Sequence, residues 1–486
     1  MKQKLLLSIF LLTSVLARAE VKPVSGTFIN FFWQDERNNY TNQRNVDQSN
    51  PERWTCKVTE LHEMGVDCLV IVTVANEGKA MYPCTFMPHG YPEGRISPID
   101  AIMNTADKLN MKVFLGCGWA RDQLDDLKDP YVIETNRRFM DELAQLYGKR
   151  PSFEGWYIPI EGCFIPYLSD YAVQGVNKIS AHARELTPGV KVLISPYGLF
   201  GAHIDDPRFE KSICDLDVDI IAYQDEIGCV REQFPMQNMK EHFRQVGEIH
   251  KKAGIEFWAN VEAFTWDRQP NNWFSSLIPA SFARYLSQIV GVSQAGADKI
   301  ISFIVVGMFD KPGSEYPVGQ PIYANEAYRD YMAWRSGDHR WKMLEEILSG
   351  KDFGSYKVVS GPKELSDGKF GWENPSDSAW KAFEDRKMEC TIDLGQKRNI
   401  SKVGAHFCDF YSGGIVIPQC LEVEVSNDGK NFTAVKTVTY ENWPNKLLDC
   451  WTDVILADEL NVSGRYIRVK AYTANGAILC SEIVVE

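Results

Sequence analysis

The sequence lacks most signatures that assign a chemistry at sight. Beyond Leu16 no apolar run approaches the roughly twenty residues needed to cross a bilayer, so no membrane span is expected. Positive charge is the scarcer sign: 52 Lys and Arg face 65 Asp and Glu, a net charge of −13. A chain with that excess has no electrostatic reason to seek phosphate backbones, so nucleic-acid binding is not expected. The twelve cysteines contain no C-x-x-C pair and the eight histidines no ligand-like spacing, which leaves a metal site or other cofactor without support. No G-x-G-x-x-G follows the first strand, and neither a G-x-S-x-G elbow nor a P-loop is present, so dinucleotide, serine-hydrolase and nucleotide chemistry have no anchor.

What is present is globular. A hydrophobic share of 44% with 24% charged residues can bury a large core, and 486 residues exceed what one core usually absorbs, which points to at least two folded units. Lys2 and Lys4, the apolar stretch Leu5 to Leu16 and the small residues of Ala17-Arg18-Ala19 read as a removable secretory signal over residues 1–19. The expectation is an exported protein, periplasmic or extracellular, in which disulfides are permitted but not required.

From residue 26 onward, β-branched or aromatic runs alternate with amphipathic stretches of helical length, as in repeated βα units. Eight strands are predicted: Gly26 to Trp33, Cys68 to Ala75, Lys112 to Trp119, Gly155 to Glu161, Lys191 to Tyr197, Asp219 to Asp225, Ile255 to Glu262 and Lys299 to Phe309. Helices predicted between them include Pro98 to Asn110, Val132 to Tyr147, Asp170 to Leu186, Met239 to Ala253 and Pro279 to Ala295. Glycine closes three helices before the chain turns inward, at Gly65, Gly254 and Gly296, where a left-handed residue fits. Eight such units over residues 24–345 predict an α/β fold, a (β/α)8 TIM barrel whose site lies at the carboxyl ends of the strands. After residue 351 the rhythm changes to short alternating runs with turn signals, predicting an all-β jelly-roll sandwich over residues 355–486.

Two strand ends carry acids. The fourth predicted strand finishes at Glu161 and the seventh at Glu262, and a period of two puts Tyr157, Pro159 and Glu161 on one face and Trp258, Asn260 and Glu262 on another. If both faces point inward, two carboxyls share one mouth, the equipment that glycosidic cleavage needs: one protonates the leaving oxygen, the other attacks or activates water. Asp225 and Glu226 end the sixth strand and offer a rival pairing, against the plainer reading that one caps a helix or pairs with an arginine such as Arg231. Trp33, Trp119, Phe264, Trp266 and Trp273 follow strand ends and could pack on pyranose faces, or anchor loops over the rim. Gln34, Asn76 and Tyr197 sit where they could reach sugar hydroxyls.

Acids after strands four and seven make the barrel resemble the clan A glycoside hydrolases, which are retaining enzymes. The resemblance implies Glu161 as acid/base, Glu262 as nucleophile and Tyr223 as the tyrosine that orients the nucleophile. The chain departs from that pattern at Ile160, where the clan usually has asparagine. The C-terminal segment resembles discoidin, or factor V/VIII type C, domains through Leu365-Ser-Asp-Gly368, Trp380, Thr391-Ile-Asp-Leu-Gly395, Val425-Ser-Asn-Asp-Gly429 with Phe432, Arg465-Tyr-Ile-Arg-Val469 and Ser481-Glu-Ile483. The sequence thus leads to an exported glycoside hydrolase acting on an oligosaccharide or polysaccharide. The alternative is a non-catalytic glycan-binding barrel that keeps the mouth without a competent acid pair. Oligomeric state is not readable.

Overall fold

The computed structural model describes residues 20–31, 47–76, 78–117, 119, 129–160, 164–230, 234–266, 277–354, 356–441 and 450–486. Eight parallel strands close into a barrel: β1 (Gly26–Ile29), β2 (Cys68–Ile71), β3 (Lys112–Gly116), β4 (Phe153–Ile158), β5 (Lys191–Ile194), β6 (Ile220–Gln224), β7 (Glu256–Glu262) and β8 (Lys299–Phe303). They are the eight strands predicted, in sequential order around the barrel, most of them shorter at their carboxyl ends. The fourth ends at Ile158, three residues before Glu161.

The helices between them are α1 (Pro51–Met64), α2 (Pro98–Leu109), α3 (Pro130–Tyr147), α4 (Asp170–Leu186), α5 (Pro207–Cys214), α6 (Met236–Ala253) and α7 (Phe282–Gln294). Each start is chemically marked in α1 to α5: a Ser, Asn or Asp side chain accepts a free first-turn N–H, and in four of the five a proline follows at the first helical position. Gly65 and Gly254 close α1 and α6 with φ of 99° and 71°, a conformation a side chain would disfavour. The barrel interior is filled by rings that meet across it: Phe28 of β1 lies 5.5 Å edge-on to Tyr157 of β4, and Phe114 of β3 lies 6.0 Å from Trp258 of β7.

Two more helices, α8 (Pro321–Ser336) and α9 (His339–Leu348), lead into an antiparallel β region. One sheet contains β9 (Lys357–Ser360), β11 (Lys387–Ile400), β13 (Cys420–Ser426), β14 (Thr433–Thr439) and β16 (Val462–Tyr472), in the order β9-β11-β16-β13-β14. The other contains β10 (Lys381–Phe383), β12 (Val403–Asp409), β15 (Trp451–Ala457) and β17 (Ile478–Val485), in the order β10-β17-β12-β15. Several sequence markers turn out to be ties: Arg465 forks onto Asp393 with both contacts at 2.9 Å, and the Arg468 guanidinium lies 3.7 Å over Phe432. β15 packs on α7 and α9, and the seam is tied by an ion pair between the partly exposed Arg340 and the buried Asp453. Among the described residues eleven cysteines are free thiols, and no helix is long and apolar enough to cross a membrane.

Candidate active site

The alternation of β7 decides which side chains reach the mouth. Phe257 points outward, packing on Phe243 and His250 of α6 at 6.0 and 5.2 Å. Trp258, Asn260 and Glu262 therefore take the opposite, inward face. Asn260 donates to Ser195 Oγ at 3.1 Å, while its own Oδ1 is buried without a hydrogen-bond partner.

Glu262 is 4% exposed and is gripped by the turn that follows β6. Its Oε2 accepts the backbone N–H of Cys229 at 2.9 Å, and its Oε1 lies 3.2 Å from the Cys229 thiol. The turn approaches so closely that a Cβ at Gly228 would sit 2.6 Å from the Phe264 carbonyl oxygen and 2.8 Å from Glu262 Oε2. Glycine is needed there for space alone.

The two neighbouring acids have their oxygens occupied elsewhere. Asp225, wholly buried, accepts the backbone N–H of Glu262 at 3.1 Å and the Gln288 side-chain amide at 2.6 Å, so it holds the nearby backbone from behind. Glu226 takes a left-handed φ of 59°, and its carboxylate accepts three successive backbone N–H groups, those of Gly198, Leu199 and Phe200, at the start of a short 3₁₀ turn. Burial raises all three carboxyls, Glu226 to about 7, and in Glu262 the Asp225 charge adds to burial. The donors around Asp225 and Glu226 pull the other way without overcoming burial.

Tyr223 does not orient Glu262, which corrects the role that the clan resemblance implies. Its side chain shares the outward parity of Phe257, is fully buried between barrel and helices, and puts its hydroxyl 2.8 Å from His250 Nε2 on α6. The tyrosine near the acids is Tyr197 instead. It is half-buried after β5, and burial followed by the proximity of Cys229, Glu226 and Glu262 pushes its phenol up.

Phe264 and Trp266 are each 4% exposed and form part of the wall: Trp266 Nε1 donates to the Cys229 carbonyl at 3.1 Å, and the Phe264 carbonyl accepts from Arg284. Neither presents an open face for a sugar ring. Trp119, 8% exposed, is likewise packed in. Asn76 is placed by its backbone on the two-residue strand Ala75–Asn76. Glu161, Trp33, Gln34 and Trp273 lie outside the described residues.

Sequence reasoning missed Cys229, Gly228, Arg284 and Gln288. A signal existed for the last two. They stand four apart on one face of α7, a helix buried from Phe282 to Ser293, and a long polar pair in that setting asks for partners. No group of three or more metal-ligating side chains occurs among the described residues.

Comparison with known proteins adds a fold and a family. A candidate alpha-L-fucosidase of Bacteroides thetaiotaomicron is similar with a TM-score of 0.51 and 20% identity, over 69% of this chain and 99% of that one. A Ruminococcus gnavus GH29 fucosidase solved with fucose has a TM-score of 0.37 at 12% identity, over 95% of this chain and 92% of its own. A glycoside hydrolase family 5 protein of Bacteroides vulgatus has 0.38 at 12%, over 87% and 86%. The structural neighbours are thus glycoside hydrolases, and the first of them shares the fold. No curated protein matches the chain. The model of a domain of unknown function, DUF4434, matches residues 24–316.

Proposed function

We propose that this chain, which belongs to the DUF4434 family, is an exported glycoside hydrolase in which Glu262 supplies one of the two carboxyl groups and Glu161 the other. The observation that carries the reading is the unequal use of three acids. Asp225 and Glu226 spend their oxygens on backbone and amide donors, whereas Glu262 lies on the inward face of β7 with burial and the Asp225 charge raising its proton affinity. The name of the one reported neighbour that shares the fold, a candidate alpha-L-fucosidase, agrees with it by analogy of fold.

The substrate class is an oligosaccharide or polysaccharide, and the sandwich is an accessory unit that braces the barrel or binds glycan. Residues 1–19 are read as an export signal, so protein recovered from expressing cells should begin at Glu20. The deciding experiment is a screen of aryl glycosides and polysaccharides with wild-type protein beside the Glu161→Ala/Glu262→Ala double variant. Turnover by the first and none by the second supports the reading. Equal rates end it, and saturable glycan binding without turnover favours the non-catalytic barrel. The anomer of the first product distinguishes retention, expected for carboxyls about 5–5.5 Å apart, from inversion at about 6.5–9.5 Å.

A further inference from the structure

We infer that Glu262 is the proton donor of the reaction, not its nucleophile. The inference rests on the hydrolase reading and exchanges the role that the clan A resemblance gives this residue.

The three acids differ in the donors they accept from. Asp225 accepts from the Glu262 N–H at 3.1 Å, the Ile227 N–H at 3.4 Å and the Gln288 amide at 2.6 Å. Glu226 accepts from three backbone N–H groups. Among the described residues Glu262 has one N–H and one thiol, and a thiol is a weak donor. A buried carboxylate is tolerable as an anion in proportion to the donors that replace its water. Two of the three acids meet that requirement, and the third is the least provided.

Charge points the same way. From the turn after β6, Glu262 faces Asp225, Glu226 and the Cys229 thiol; from the loop after β5, the Tyr197 phenol; and from α7, Arg284. Among the described residues this sets two acids and one cation around it. Three adjacent anions would leave a surplus of negative charge in a site that excludes water, so the proton that remains belongs on the acid with the poorest solvation. Burial together with Asp225 acts on Glu262 in that direction.

Cys229 makes the group reversible. A thiol can donate to a carboxylate oxygen, and its sulfur can accept from a carboxylic O–H, so the 3.2 Å contact between Sγ and Oε1 survives in either protonation state. Burial holds the thiol itself well above its usual range, so it stays protonated and does not compete as a nucleophile. A general acid needs this arrangement: a proton held at rest, a fixed geometry once it has gone, and a route for its return. A nucleophile needs the opposite, an ionised resting state.

In the step assigned here, Glu262 passes its proton to the glycosidic oxygen as the bond from that oxygen to the anomeric carbon breaks. The bonding electron pair leaves with the oxygen, and the aglycone departs as an alcohol. A second carboxylate in the mouth attacks the anomeric carbon or deprotonates the water that does so. In the attacking case a water later adds to that carbon, freeing the second carboxylate, and its proton restores Glu262.

The test is leaving-group dependence. Glu262→Ala is compared with wild type on glycosides that share one sugar and carry either 2,4-dinitrophenol, which departs without protonation, or an alkyl alcohol, which requires it. The expected result, read in kcat/KM so that only cleavage of the bond to the leaving group is compared, is a loss of about 10²–10⁴-fold on the alkyl glycoside and less than about tenfold on the dinitrophenyl glycoside. A loss of similar size on both substrates would overturn the inference while leaving the hydrolase reading intact. A wild-type protein that cleaves neither glycoside, nor any other, removes both. A second readout needs no substrate: the infrared spectrum of wild type minus Glu262→Gln at pH 6.5 should contain the carbonyl band of a protonated carboxyl group, and a carboxylate band in its place also overturns the assignment.

Discussion

Two fully buried acids, one at the barrel mouth and one at the seam with the sandwich, are treated in opposite ways. Asp453 on β15 is met by the Arg340 guanidinium and by the Tyr440 hydroxyl at 2.7 Å. Burial opposes the charge on Arg340, but Asp453 more than offsets it and leaves the guanidinium above its usual range. Asp225 accepts from amide and backbone donors with the Arg284 charge nearby, and burial still leaves it raised. The seam neutralises charge with charge and gains a fixed joint. The mouth meets its acids chiefly with hydrogen-bond dipoles and, among the described residues, sets one cation, Arg284, against three carboxyls. The first arrangement serves rigidity, and the second suits proton transfer.

The largest expected effect breaks the seam. Arg340→Ala would leave Asp453 buried beside Tyr440 without its cation, at a cost of about 3 kcal/mol in chemical denaturation. A change below about 0.5 kcal/mol would show that water reaches Asp453, and the contrast with Asp225 would vanish. Next comes the turn that grips Glu262. Gly228→Ala puts a methyl group where the Phe264 carbonyl and Glu262 Oε2 already stand, so turn and carboxylate must separate. A displacement on the scale of an ångström should lower kcat/KM by about 10²-fold. Unchanged kinetics would mean that Glu262 is not at the centre of the chemistry.

The pH dependence of stability sharpens the comparison further. Asp225, Glu226 and Glu262 all hold their protons more tightly folded than unfolded. Their contribution to stability is whole below the ordinary carboxylate range and is lost as pH rises through their raised values, Glu226 at about 7 among them. Unfolding free energy should therefore fall from pH 5 to pH 8, and Glu262→Gln should make that fall shallower. Denaturation of the two proteins at matched pH values checks it. Parallel curves would place the titrating groups elsewhere.

The sequence reports the architecture far better than the site. Strand count, barrel closure and the β region are legible because apolar period, helix caps and glycine ends are local signals, each repeated many times. Glu262 is legible as an acid closing an apolar run. Its grip by Cys229 is not, because that contact joins residues 33 apart through a turn without a sequence signature. The direction of Tyr223 fails for a different reason. All of Ile220 to Tyr223 is apolar or aromatic, so no alternation marks which face turns inward, and a barrel strand buried on both sides hides its parity.

The smallest expected effect follows from that parity. His250 Nδ1 lies 2.9 Å from the Ile255 carbonyl and so carries the ring proton, which leaves Nε2 to accept from the Tyr223 hydroxyl at 2.8 Å. Tyr223→Phe deprives a buried acceptor of its donor without touching Glu262. It should cost about 1 kcal/mol of stability and leave kcat within about twofold. Tyr197→Phe should do the reverse, moving the pH profile of kcat while scarcely altering stability, since its phenol is half-buried and close to Cys229 and Glu262. A large fall in kcat for Tyr223→Phe, with Tyr197→Phe silent, would return the orienting role to β6 and turn that strand's aromatic face toward the mouth.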